Sequence, residues 1–298
     1  MLFLDLTFVP LMEALEDNFL HIQNYVIMTD REHMPQTSLP NVLCFEELLE
    51  QEDGDFNWLE LDENSACGLC YTSGTTGDPK GVLYSHRSNY LHSMIAVAKN
   101  SIEIGADDCF MPIVPMFHAN AWGVLFSAIG AGAKLLLNGP CHDPEELQQY
   151  IVDEGVTGTA AVPTIWTGML AYLKSSEKDL GQLTNVTIGG AAAPRSMIEA
   201  FEKDYGVTVK HAWGMTEMNP LGTVGTKTRQ TISLTKEEWL GVQCKQGRTF
   251  VGIEMRIVDD EGSELPRDGI AFGNLEVKSP WIVERYFKAE KTALSADG

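Results

Sequence analysis

Between Cys67 and Val209 the chain alternates short apolar runs with amphipathic stretches, and this alternation limits the fold more than any other feature. The stretches "ACGLCYTS", "DCFMPIVPM", "AKLLLN", "VTGTAAVP", "VTIGG" and "VTVKHAW" read as strands. Between them, a segment from Ser88 and the stretches "AWGVLFSAIG", "DPEELQQYIVDEG", "TIWTGMLAYL" and "PRSMIEAFEKDYG" read as helices. Strands and helices in that rhythm predict β-α units, hence an α/β fold with layered, largely parallel sheets and flanking helices. Two helices carry clear punctuation. Asp143 caps one, with Pro144 in its first turn and Gly155 at its end, while Pro194 opens another that Gly206 closes. In such a sheet the loops that follow the strands gather at the carboxyl edge, where ligands bind.

After Trp213 the character changes. "TKTRQTISLTKEEW" is polar and reads as a loop or short helix, and "FVGIEMRIVDDEGSELP" and "AFGNLEVKSPWIVERYF" show strand alternation around acidic turns. These predict part of a small, mostly antiparallel β subdomain. The expected organisation is an α/β portion over 1–220, incomplete at its start, then a polar linker and partial β subdomain over 221–298. The apolar beginning, "MLFLDLTFVP", and an ending at "ALSADG" without a closing element suggest a piece of a longer protein. Unpaired apolar edges such as "LFLDLTFV" would then invite association with other chains.

Charge narrows the partners. Asp and Glu number 42 against 21 Lys and Arg, a formal charge of −21, which repels nucleic acid and anionic membrane surfaces. Any bound polyphosphate has to be neutralised locally, by backbone donors, a lysine and Mg²⁺. The six cysteines are scattered and read as reduced thiols of a cytoplasmic protein. "CGLC" at Cys67–Cys70 spells a redox pair but sits in an apolar run, and no second pair completes a zinc site. No apolar run approaches the roughly 20 residues of a membrane span.

Three stretches carry chemistry. "YTSGTTGDPKG", Tyr71–Gly81, combines glycines that let backbone N–H groups converge, short hydroxyl donors and one lysine, which suits a phosphate chain or, more plainly, a solvated turn. It is not a Walker loop, because Lys80 follows Asp78-Pro79 and precedes Gly81. In "HAWGMTEM", Trp213 can lie against a base, Thr216 can reach a phosphate oxygen and Glu217 can hold Mg²⁺; taken alone, a core Trp followed by a helix cap with Thr216 and Glu217 is the plainer reading. "GGAAAPR", Gly189–Arg195, offers small residues where a flat group can approach the backbone, or a simple strand-to-helix turn.

Together, and in this order, the three stretches resemble the acyl-activating adenylate-forming superfamily, and nearly the whole chain fits. "LYSHRSNYLHS", "VPMFHANAWG" and "KQGRTFVGIEMRIVDDEG" are most similar to its medium-chain fatty-acyl and methylthiopropionyl-CoA ligases. The resemblance implies a carboxylic acid, ATP and coenzyme A as substrates, with Mg²⁺, and an acyl-adenylate between two half-reactions. It implies that Thr72, Ser73, Gly74, Thr75, Thr76, Gly77 and Lys80 grip the β and γ phosphates. Gly190, Ala191 and Ala192 would enclose adenine with Trp213. Gly214, Met215 and Thr216 would line the α-phosphate, with Glu217 on the metal. His118 would stand between the acyl pocket and the coenzyme A tunnel, and Trp166 would line that pocket or belong to the core. A homodimer is the assembly left open. The family's ribose-binding "TGD" segment and its small C-terminal domain lie beyond the residues given, so this stretch alone is expected to form no thioester. An acyl carrier as acceptor, or a silent nucleotide-binding fragment, are the competing readings.

Overall fold

The computed structural model describes residues 1–72 and 77–295, which form two compact units dividing between Leu61 and Asp62. In the first, β1 (Leu2–Leu4), β2 (Tyr25–Ile27) and β3 (Val42–Cys44) make a parallel sheet in that order, with α1 (Val9–Leu15) and α2 (Phe45–Glu50) in sequence around them. Its core gathers Tyr25, Ile27, Leu4, Val9, Met12 and Leu39.

The second unit opens with a hairpin. β4 (Ala66–Thr72) pairs antiparallel with β5 (Lys80–Ser85), and the two form a sheet of their own. This corrects the reading of "ACGLCYTS" as a strand of the parallel sheet. Only residues 73–79 separate β4 from β5, too few for a parallel crossover of about a dozen residues, so the chain reverses. Helix α3 (His86–Val97) starts two residues before Ser88, because Ser85 caps it. The Ser85 hydroxyl accepts from the Ser88 N–H at 3.0 Å and the Ser88 hydroxyl accepts from the Ser85 N–H at 3.0 Å.

The main sheet follows, with β6 (Cys109–Pro112), the single turn α4 (Ala119–Trp122), α5 (Val124–Ala131), β7 (Lys134–Leu135) and α6 (Pro144–Asp153). Then come β8 (Gly158–Ala161), α7 (Pro163–Ser176), β9 (Asn185–Ile188), α8 (Arg195–Asp204) and β10 (Thr208–Gly214). Asp143 and Pro194 cap α6 and α8 as their spacing predicts. β11 (Leu221–Val224), α9 (Lys236–Gln243) and β12 (Arg248–Thr249) return the chain to the same sheet, ordered β12-β11-β10-β9-β8-β6-β7. The strands from β10 to β7 run parallel, whereas β11 and β12 are antiparallel. β13 (Glu254–Val258) and β14 (Asn274–Lys278) form a separate antiparallel pair. The alternation expected through "AFGNLEVKSPWIVERYF" therefore stops at Lys278, and the chain turns away.

Helices cover both faces of the parallel strands, and these strands are correspondingly apolar on both sides. From β6 onward, Cys109, Met111 and Ile113 enter one core while Phe110 and Val114 enter the other. The first core also holds Trp166, fully buried and edge-on to Phe201 with ring centroids 5.4 Å apart, so this indole is core and not a pocket wall. On the second face, His92 of α3 is buried, and its Nε2 accepts the Leu221 N–H of β11 at 3.3 Å.

Burial pulls the His92 imidazole down to about 4. Between that value and the ordinary pKa near 6.5, the unfolded chain binds a proton that the folded chain refuses. Stability should therefore fall as pH falls through this window, by ~2 kcal/mol between pH 7 and pH 5 for one such site. Urea denaturation of the parent and of His92→Gln at both pH values would show the parent losing that much more. Equal losses would mean that His92 titrates normally.

Candidate active site

Because β6, β8, β9 and β10 are parallel, the loops after them leave at one edge of the sheet. The register pairs His211 of β10 with Ile188 of β9, which places Gly189–Arg195 beside Gly214–Asn219. His118 follows β6 at the same edge and is exposed. After it, Ala119 to Trp122 all take positive φ, and this left-handed turn carries the Trp122 indole against the two glycines. A Cβ at Gly189 would lie 3.1 Å from that ring, and one at Gly190 would lie 3.8 Å from it. Gly190, Ala191 and Ala192 are exposed. Trp213 is half-buried: a Cβ at Gly222 of β11 would lie 2.7 Å from its indole, which packs with Met218, Ile253 and Trp281.

His211 fixes the glycine loop from beneath. Fully buried, its Nδ1 lies 3.0 Å from the Gln243 carbonyl, and its Nε2 accepts the Ala193 N–H at 3.1 Å. Nδ1 can only donate to a carbonyl, so the Nδ1–H tautomer is set. Burial lowers its pKa and keeps the ring neutral. Sequence reasoning passed over both His211 and Trp122, since each looks like an ordinary member of an apolar run.

Residues Ser73, Gly74, Thr75 and Thr76 lie outside the described residues. Thr72 pairs with Lys80 across the hairpin where the loop begins, and Gly77 takes a φ of +148°. The hairpin is tied to the turn after β10 directly through Tyr84 and indirectly through residues 283–287. Tyr84 donates its hydroxyl to the Thr216 carbonyl at 2.7 Å, and the Phe287 N–H donates to the Gly81 carbonyl at 2.7 Å. Tyr286 donates its hydroxyl to Glu217 Oε1 at 2.7 Å, while Lys80 Nζ lies 5.1 Å from the centroid of the same ring. The Val283 N–H donates to the Glu217 carbonyl at 2.9 Å. Lys80 and the adjacent pair Thr216 and Glu217, far apart in sequence, thus meet through Tyr84 and Tyr286. Burial pushes both phenols up, Tyr286 to about 12 with help from Glu217, so both remain donors at neutral pH. Neither tyrosine was singled out from the sequence. The repeated tyrosines in "VLYSH" and "ERYF" carry no pattern of their own.

Thr216–Met218 form a 3₁₀ turn, closed by the Met215 N–H on the Pro220 carbonyl at 2.9 Å. Gly214 is required at its base: a Cβ there would lie 2.1 Å from the Pro220 oxygen. Gly214→Ala should force β10 and β11 apart at the turn, at a cost of about 2–4 kcal/mol, the upper range for overpacking. Thermal melting would register the loss. A variant that melts with its parent would mean that the turn accommodates the methyl group.

Among the described residues, no three His, Cys, Asp or Glu side chains gather to hold a metal. Glu217 offers one hard carboxylate, half-buried at the edge, whose Oε1 accepts from the Tyr286 hydroxyl. That suits Mg²⁺, which takes one or two carboxylates and fills its octahedron with phosphate oxygens and water. A cleft of about 980 Å³ opens on the β13–β14 side of Glu217, between Met218, Ile253, Arg256, Val283 and Tyr286. Among the described residues, neither Lys80 nor Gly190 is part of its wall. The cysteines are free, and burial raises the thiols of Cys67 and Cys70, which leaves neither as a thiolate.

The model of the family described as AMP-binding enzyme matches residues 17–287. A medium-chain-fatty-acid–CoA ligase of Ectopseudomonas oleovorans is 42% identical over 295 residues, covering 99% of this chain and 54% of that protein. A 3-methylmercaptopropionyl-CoA ligase of Ruegeria lacuscaerulensis is 44% identical over 297 residues, covering 100% of this chain and 55% of that protein. The chain thus spans about half the length of the curated relatives it matches. The crystal structure of an anthranilate CoA ligase with anthranoyl-AMP superposes with a TM-score of 0.83 at 22% identity, over 96% of this chain and 52% of that one.

Proposed function

The chain belongs to the AMP-binding enzyme family, and on that premise we propose that it supplies the nucleotide site of an ATP-dependent carboxylate–CoA ligase. The observation that carries this reading is the meeting of Lys80 and Glu217 on the two sides of Tyr286. A carboxylate oxygen of the acid attacks the α-phosphorus of ATP, and the bond to pyrophosphate breaks. The sulfur of coenzyme A then attacks the acyl carbon, and AMP leaves with the bonding electrons. Both steps are limited by charge on the phosphates and by alignment of the reacting atoms. Lys80, with the hydroxyls of Thr72 and of the residues after it, draws charge from the β and γ phosphates. Thr216 orients the α-phosphate, and Glu217 holds Mg²⁺, whose charge offsets that of the phosphate oxygens. Gly190, Ala191 and Ala192 enclose adenine with Trp213, and His118 faces the path of the thiol.

The substrate class we assign is medium-chain or methylthio-substituted aliphatic acids, supported by the names of the two curated relatives. The free cysteines fit a cytoplasmic enzyme, and among the described residues no helix is long and apolar enough to cross a membrane. ATP–pyrophosphate exchange by the full natural polypeptide carrying this chain, across short, medium, long, sulfur-containing and aromatic acids, tests the assignment. The expected optimum is a medium or methylthio acid; strongest exchange with aromatic or amino acids would overturn it.

A further inference from the structure

We propose that Tyr286 is a positioning residue for Glu217, aiming its carboxylate at the metal–phosphate site and tying that aim to the lysine of the phosphate loop. The inference rests on the reading of Glu217 given above. Its basis is that one half-buried side chain makes two connections at once, and its neighbour in the chain makes a third. The hydroxyl donates to Oε1 of Glu217 at 2.7 Å. The ring lies 5.1 Å from Lys80 Nζ. The next residue, Phe287, bonds the Gly81 carbonyl of β5 at 2.7 Å through its N–H. A fourth tie, from the Val283 N–H to the Glu217 carbonyl at 2.9 Å, holds the same segment on the turn.

A glutamate side chain has three rotatable bonds, and a ligand that must meet a metal in one orientation loses affinity when it is free to turn. With Oε1 held by the Tyr286 hydroxyl, the carboxylate is turned so that Oε2 is left to face a cation. The Tyr286 ring also offers its negative face to the Lys80 ammonium, which favours the lysine on the same side of the nucleotide as the acid. Tyr286 itself touches no reacting atom in this arrangement.

The test uses the full natural polypeptide carrying this chain and reads metal affinity apart from turnover. Mn²⁺ binding is followed by electron paramagnetic resonance with ATP present and no acid, alongside thermal melting. Tyr286→Phe keeps the ring over Lys80 and removes only the hydroxyl. It should weaken Mn²⁺ binding roughly 10-fold, the lower end of what losing a partner of a metal ligand costs, while melting with its parent. Glu217→Gln should weaken it further, and adding Tyr286→Phe to Glu217→Gln should change little more, since the phenol acts through the carboxylate. Mn²⁺ affinity within about twofold of the parent in Tyr286→Phe, beside a clear loss in Glu217→Gln, overturns the role of Tyr286 and leaves Glu217 standing. Full additivity in the double variant also overturns it. Unchanged affinity in Glu217→Gln removes Glu217 from the metal, and this inference falls with it.

Discussion

Lys80→Ala and Glu217→Gln, made in the full natural polypeptide, should each slow acyl-adenylate formation by roughly 10- to 1,000-fold, the range for losing one preorganised charge contact to a transition state. Both side chains meet at Tyr286, Glu217 by its carboxylate and Lys80 by its ammonium. They act on one bound nucleotide in the proposed reaction, and each answers charge that grows on phosphate oxygens as pyrophosphate departs. The second half-reaction involves no β or γ phosphate, so pre-formed acyl-adenylate should be converted to thioester with much smaller losses. Pulsed pyrophosphate exchange measures the first step, and thioester formation from synthetic adenylate measures the second. Parental exchange at saturating Mg²⁺ in either variant would remove that residue from the site. Equal losses in both half-reactions would point to damage of the fold instead.

Trp166→Ala should destabilise the protein by ~3–5 kcal/mol, the usual cost of emptying a large aromatic from a core. The indole is fully buried on α7, edge-on to Phe201 of α8, among residues of α6 and of the sheet. Two helices and the sheet would have to close on the cavity, and close packing limits how far they can. Trp166→Phe should recover most of the loss. Neither change should alter the order of preference among carboxylic acids, because the ring belongs to the core face. Melting curves and a substrate series decide this. A shifted acid preference with unchanged melting would return Trp166 to the acyl pocket.

The parallel strands and their flanking helices were legible because their information is local. An apolar run buried on both faces, as in "DCFMPIVPM", and caps such as Asp143-Pro144 depend on neighbours within a few residues. Gly189–Ala192 and Thr216–Glu217 were legible as candidates for the same reason, since small residues and turn-forming polar residues after strands mark a carboxyl edge. β4 was misassigned to the parallel sheet and its partner β5 was not anticipated, because a strand's own residues do not state which partner it takes. β11 was absent from the expectation, being four residues in a stretch that reads as linker.

By itself the sequence determined the α/β class, the order of the phosphate-loop, glycine-loop and acidic segments along the chain, and the family they resemble. Tertiary structure alone decided which side chains complete them. Tyr84 reaches Thr216, Tyr286 reaches Glu217, and His92 reaches Leu221 across separations of 132, 69 and 129 residues. Trp122, which no motif marked, came to rest on the glycine loop. The physical reason is that a hydrogen bond or a ring contact is set by direction and distance in space. Composition and periodicity fix which face a residue presents, and only the packing of sheet, hairpin and turn fixes what that face meets.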